Sequence, residues 1–594
     1  MEQLPAWDNS TEYKALNSPD FLRDLEEARQ GIAAIEELNK KLEGADRPLK
    51  IKTLQDISKL NERTAILLWN LAVYVNCFKS LDSTDELAKK VSAQLQQERA
   101  KFAVAETASS IALQTCDDSF LESYLQSEHT KVEAFFWKNK RKMKLFLLSS
   151  EEEKTLAQFE TYGKMNWGEL YSSLGGSLKV FLPSKGEHVG LAQAAGYVRG
   201  ADAELRREAW QGIQAAWKTV EIPCAAVLNN LSGYRLEEYK KRSHTKKMHF
   251  LDKPLSESCI EAKTLEAMMT AVQERIGTPR RALAGLAKVF GKTKLDPWDL
   301  MAPSPRNKAG ASTSYTEALS MIRDAFGDVD PAMGDFVNTM NDNKWIDARV
   351  LPNKSPGAYC TGFAKSNTPR VFQSYMGSMK DISTLAHELG HAYHNWVMRD
   401  MPLVQTYYPM TLAETASIFS ETLLSERLFE KADKDAKFTI AWEDACDAVA
   451  LLVNIPMRFD FEKSLYEARQ NGPLSPAELN ALVDQSWQKW YGDHVSQPES
   501  QYWMSKLHFS IAEVSFYNYP YTFGYLFGLG IYAQREKLGN KFHQVYVEIL
   551  RDTGRMSAED VIQKYLGMDI RQPKFWLDSL DMVEKKVAQF EGML

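Results

Sequence analysis

The chain has 594 residues, 44% of them hydrophobic and 25% charged, with a formal net charge of −7. That length is enough for two or more packed lobes around a large interior, and the composition is ordinary for a globular protein. The acidic balance argues against nucleic acid or an anionic membrane as the main partner.

In chain order, residues 1–18 read as an extended arm. Ser18-Pro19-Asp20 starts a helix to about Leu42, with Leu22, Leu25, Ile32, Ile35 and Leu38 as its apolar stripe. A second helix is expected from about Leu54 to Phe78 and a third from Asp85 to about Thr115. No strict heptad persists, so a helical lobe is expected rather than a coiled-coil arm. More helices follow to about Phe159, and the basic run Lys138–Lys144 reads as a solvated face. Leu178–Leu182 alternates like a strand, with Pro183–Gly186 able to turn a hairpin. Ala201–Leu231 is helical again. His244 and His249 sit among lysines, which disfavours a metal there. Helices continue to about Val289, and Asp296–Pro303 crosses as a linker. Gly357–Gly362 and Pro369–Tyr375 read as strands of a small sheet, whose edge could hold a peptide extended by its main chain.

The chemistry concentrates in Asp381–His394, where His387-Glu388-Leu389-Gly390-His391 reads H-E-x-x-H. Residues four apart share one helix face, so two imidazoles can close on one Zn²⁺. Glu388 is offset around the helix and can take a proton from the water that the metal activates. Asp381 is the expected N-cap. His394 lies seven residues from His387, about 10 Å along the axis, too far to share the ion. Val397 stands where a metzincin needs histidine. A third ligand is expected from the next helix, Thr411–Leu424. Glu414 is the preferred donor, with Glu421 two turns on orienting a histidine; if Glu414 only caps the helix, the ligand becomes Glu421.

Helices are expected over Phe438–Tyr466 and Ser475–Tyr491. The stretch His508–Tyr525 then gathers one histidine and four tyrosines, Tyr517, Tyr519, Tyr521 and Tyr525. Their hydroxyls and imidazole N–H are donors that could meet an oxyanion. Further helices run to about Phe590.

HELGHAYH followed by AETASIFSE resembles the oligoendopeptidase F group of the thimet-oligopeptidase-like zinc peptidases. The resemblance implies that the glutamate of E-x-x-S, Glu414 to Ser417, is the third ligand beside His387 and His391. It implies one Zn²⁺ per chain, Glu388 as general base, and His508 with Tyr521, then Tyr519 and Tyr525, as oxyanion donors. The implied fold is mainly α, with two helical lobes around a deep substrate channel and a small β-sheet beside the zinc helix. The implied division is 1–117 as an N-terminal helical region, 118–200 as an upstream oligoendopeptidase-type domain and 201–594 as the catalytic domain. The expected reaction is internal hydrolysis of short or unfolded peptides. The rivals are a zinc carboxypeptidase or aminopeptidase on the same helix pair, and an inactive peptide-binding scaffold. No signal peptide or membrane span is expected. The six scattered cysteines (Cys77, Cys116, Cys224, Cys259, Cys360, Cys446) suit a reducing compartment, so a cytoplasmic enzyme is expected.

Overall fold

The computed structural model describes residues 3–306 and 312–594. The protein is mainly α-helical with two small sheets. It divides into two compact units, each assembled from three separated stretches: Met1–Lys144, Gly310–Leu428 and Gln534–Gly567 in the first, and Leu145–Ala309, Phe429–Ala533 and Met568–Leu594 in the second. The three-part division by sequence therefore describes order along the chain, and packing follows different boundaries.

The first unit is built on α1 (Pro19–Lys40), α2 (Arg47–Leu81) and α3 (Glu86–Thr115). Asp46 and Asp85 cap α2 and α3 by accepting the Leu49 and Ala88 N–H groups. The Asp46 cap, with a proline in the first turn, starts α2 at Arg47, well before Leu54. By length and composition α2 could cross a membrane, with an 18-residue window of mean hydropathy 1.2. In the fold, 56% of that window is buried, and Leu71, Tyr74 and Cys77 form part of the core. The N-terminal arm joins the same core through Trp7, Tyr13 and Leu16. The Tyr13 hydroxyl donates to Asp24, and Tyr74 donates to the Tyr13 carbonyl.

In the second unit, β1 (Lys179–Leu182) and β2 (Glu187–Gly190) form the expected hairpin. The helix expected over Ala201–Leu231 is two helices, Ala203–Lys218 and Glu221–Arg242, parted at Thr219 and Val220.

The sheet beside the motif helix belongs to the first unit. It comprises β3 (Ile346–Asp347), β4 (Tyr359–Phe363) and β5 (Thr368–Phe372) in the order β3-β5-β4. β4 and β5 pair antiparallel from Tyr359↔Phe372 to Phe363↔Thr368, around a turn with Asn367 at φ 51°. β3, which the sequence pattern did not reveal, pairs parallel with β5. The Val371 N–H goes to the Trp345 carbonyl on the β3 side. Pairing alternates along a strand, so Cys360 and Gly362 turn their backbone groups away from β5.

Asp347 ties this sheet down. Its fully buried carboxylate meets Lys354 Nζ at 2.8 Å and the Arg349 guanidinium, while Lys354 also donates to the Arg349 and Gln373 carbonyls. Removing one partner strands the other charge. Asp347→Ala should lower unfolding free energy by about 3–5 kcal/mol, read as a lower midpoint in urea with an unchanged slope.

Candidate metal centre

The motif helix runs Met379–Val397. Its N-cap is Ser378, not Asp381: Ser378 Oγ accepts the Asp381 N–H while the Asp381 carboxylate accepts the Ser378 N–H. Asp381 is thus the third helical residue of a capping box. The next helix is not continuous. Met410–Ala413 forms one turn, Glu414 closes it, and Thr415–Lys431 follows. Glu414 therefore sits at the junction between two helical segments.

The two elements approach closely at Gly390. A Cβ there would lie 2.6 Å from the Ala416 carbonyl oxygen and 2.7 Å from both Ser417 Cα and Ser420 Oγ. Only a hydrogen fits, and that clearance brings Glu414 to the imidazoles. His387 Nε2 and His391 Nε2 lie 3.2 Å apart, and Glu414 Oε2 lies 3.4 and 3.5 Å from them. Ligands of an ion at 2.0–2.1 Å in tetrahedral array are separated by roughly 3.3 Å. The three atoms thus have the spacing of one face of such a site, and two imidazoles with a carboxylate suit a borderline ion such as zinc.

Outer partners fix each donor. His387 Nδ1 faces Glu421 Oε1 at 2.5 Å, and Ser383 Oγ donates to the other Glu421 oxygen. With the Nδ1 proton held there, Nε2 presents a lone pair to the centre. Ser417 Oγ donates to Glu414 Oε2 at 2.7 Å. His394 is turned away: it is buried, stacks on Tyr408, and bonds through Nε2 to the Leu550 carbonyl and Thr553 Oγ1.

Burial works against a charge on His387, but the hydrogen bond and charge of Glu421, helped by Glu414 and Glu388, hold its pKa up to about 9. Burial and the His387 charge push His391 down to about 4. Burial lifts Glu388 to about 7, with the His387 charge opposing and the Glu414 and Glu421 charges adding. The backbone of Cys360, near the carboxylate, partly offsets that rise. That contact across the sheet has no signature in the sequence.

The second unit holds the histidine and tyrosines. His508 lies in the short turn Leu507–Phe509, with the Tyr521 hydroxyl 3.5 Å from Nε2. Tyr517 packs 6.0 Å from both rings, centroid to centroid. Burial, then the Arg458 and Lys506 charges, push His508 down to about 4, so it is neutral at physiological pH. Tyr519 does not join this group. Its hydroxyl is enclosed, donates to the Pro254 carbonyl and meets Ser258 Oγ at 2.8 Å, which makes it a packing residue. Tyr525 is buried within the helix Tyr519–Tyr532.

A Peptidase family M3 profile matches residues 197–582, and an Oligopeptidase F profile matches residues 113–179. Group B oligopeptidase PepB of Streptococcus agalactiae is 24% identical over 565 residues, covering 91% of this chain and 90% of that protein. Among solved structures, a Chlamydophila abortus protein superposes with a TM-score of 0.81 at 19% identity, over 99% of this chain and 98% of that one. Oligoendopeptidase-F from Enterococcus faecium superposes with a TM-score of 0.69 at 17% identity, over 96% and 98%.

Two outcomes test this geometry. Gly390→Ala should push the helices apart and lower metal occupancy after dialysis against limiting metal, measured by elemental analysis. Metal binds only the neutral ring of His387. Uptake by metal-free protein at pH 7 should then release at least one proton, the one held on the His387 ring, in calorimetric titrations using buffers of different ionisation heat.

Proposed function

As the chain belongs to peptidase family M3, whose members are metallopeptidases, we propose that it carries one zinc ion held by His387, His391 and Glu414, and that Glu388 is its general base. It is a metalloendopeptidase acting on oligopeptides. The observation that carries the site assignment is the convergence of three ligand atoms, within 4.8 Å of one another, on the helix that bears Glu388.

Bound there, zinc would supply Lewis acidity, lowering the pKa of water to about 7 and polarising the scissile carbonyl. The chain's own groups do the rest. Glu388 takes the proton from the attacking water and delivers it to the departing amine. Glu421 holds His387 in the tautomer that donates through Nε2, and Ser417 keeps Glu414 aimed inward. His508 and Tyr521 are assigned to the oxyanion. Supporting this within their own unit are the neutral imidazole, the nearby phenol and the neighbouring Tyr517.

Substrate is expected along the outer edge of β4. One group of that edge is engaged, the Gly362 carbonyl by Trp69 Nε1 at 2.9 Å, and the Cys360 backbone lies near Glu388. The Cys360 carbonyl and Gly362 N–H point outward and can pair with a peptide main chain. Such pairing reads backbone, so broad side-chain tolerance is expected.

Short peptides are the proposed partners, without nucleic acid or membrane, in keeping with the net charge of −7. All six cysteines are free thiols, which supports a reducing, cytoplasmic setting.

Glu388→Gln should retain stoichiometric zinc and lose on the order of 10³-fold in kcat; wild-type turnover in a zinc-loaded variant would remove Glu388 as the base. Internally quenched peptides blocked at both ends should be cleaved, whereas an exopeptidase would leave them intact.

A further inference from the structure

A cavity of about 250 Å³ lies within the first unit, bordered by α2, α3, residues 124–140 and the loop at 403–407. Its walls are largely apolar, including Ile57, Leu113, Phe136 and Val404. Most of its polar groups are already engaged. Glu133 accepts from Ser58, Tyr124 and Trp137. Glu62 accepts the Leu403 N–H and faces His129. Lys140 donates to Ser110 and lies over the Phe136 ring.

Two acceptors remain. No hydrogen bond or ion pair among the described residues reaches the Glu106 carboxylate, although burial raises its pKa against the opposing charge of Lys140. Asn61 Oδ1 is enclosed and has no partner. A site offering apolar walls, the unpartnered Asn61 amide oxygen and a carboxylate with no hydrogen bond, opposed by the charge of Lys140, suits a donor on an apolar stem. Neither residue belongs to the metal centre.

We propose that this cavity binds an ammonium group carried on an apolar stem, namely the free amino end of a long peptide substrate. This deepens the reading that substrate lies along β4, and rests on it. Trp69, which holds the Gly362 carbonyl, meets Tyr407 edge-on at 6.0 Å, and Tyr407 lines the cavity. β4 runs from Cys360, beside Glu388, towards Gly362. A peptide whose amino end enters the cavity is therefore antiparallel to β4. At about 3.3 Å per residue, two residues before the cleaved bond reach only from Cys360 to Gly362, whereas seven span about 23 Å. Shorter peptides are cleaved without engaging it. A lysine side chain offers the same chemistry as an amino end.

The test uses the full-length, zinc-loaded enzyme and internally quenched peptides. One set has two residues before the cleaved bond, the other seven. Each is made with a free and an acetylated amino end, and the long acetylated peptide also with a first-position lysine. For wild type, acetylation should raise KM of the long peptide roughly tenfold, leave kcat unchanged and not affect the short peptide. Glu106→Gln should abolish that difference, and Asn61→Leu should reduce it. Recovery of the low KM by lysine would support an ammonium site that accepts either source. Equal KM for free and acetylated long peptides in wild type overturns the proposal, as does an equal KM rise for long and short peptides in Glu106→Gln. Failure of wild type to cleave any of the peptides would instead overturn the underlying endopeptidase reading, and this inference with it.

Discussion

The near-contact of two helices at Gly390 governs the chemistry of this protein. His387 and His391 are placed by helical periodicity alone, but two ligands leave the third donor undecided. That donor comes from another segment, and it arrives because no side chain stands between Gly390 and the Ala416 carbonyl. The break at Glu414 completes the arrangement. From that junction the Glu414 carboxylate lies 3.4 and 3.5 Å from the two imidazoles. Close backbone approach and local irregularity, each unfavourable for a helix by itself, together bring three ligand atoms within 4.8 Å.

Around that centre, the acidic groups divide the work by position. Glu421 faces the far nitrogen of His387, so its charge settles a tautomer and an orientation. Glu414 faces the near nitrogens of both rings. Glu388 is almost wholly buried, with the Cys360 backbone nearby. Three similar carboxylates in one small volume repel one another, which is part of why Glu388 is held near neutrality in the metal-free protein.

Much of this was legible in the sequence because it is local. The H-E-x-x-H spacing, the long N-terminal helices and the hairpins all follow from periodicity and turn residues. What escaped was non-local or depended on competition between neighbours. Ser378 displaced Asp381 as cap because the pair is reciprocal, each side chain accepting the other's backbone N–H. Strand β3 is two residues long and has no pattern of its own. The hydroxyl of Tyr519 is indistinguishable from that of Tyr521 in the primary structure; only tertiary packing sends one to Pro254 and the other to His508. The link between Cys360 and Glu388 is a main-chain contact, invisible to side-chain identity.

The interleaving of the two units bears on biosynthesis. The unit that contains the motif helix also requires Gln534–Gly567, and His394 is anchored to Leu550 and Thr553 within that late stretch. A nascent chain on the ribosome has therefore made its H-E-x-x-H segment well before it can finish the scaffold that supports it. Domains generally fold as units, so the three candidate ligands gain their full scaffold only after Gln534–Gly567 has been made. The growing polypeptide, itself an unfolded peptide, is thereby spared exposure to a finished site until that stretch has emerged.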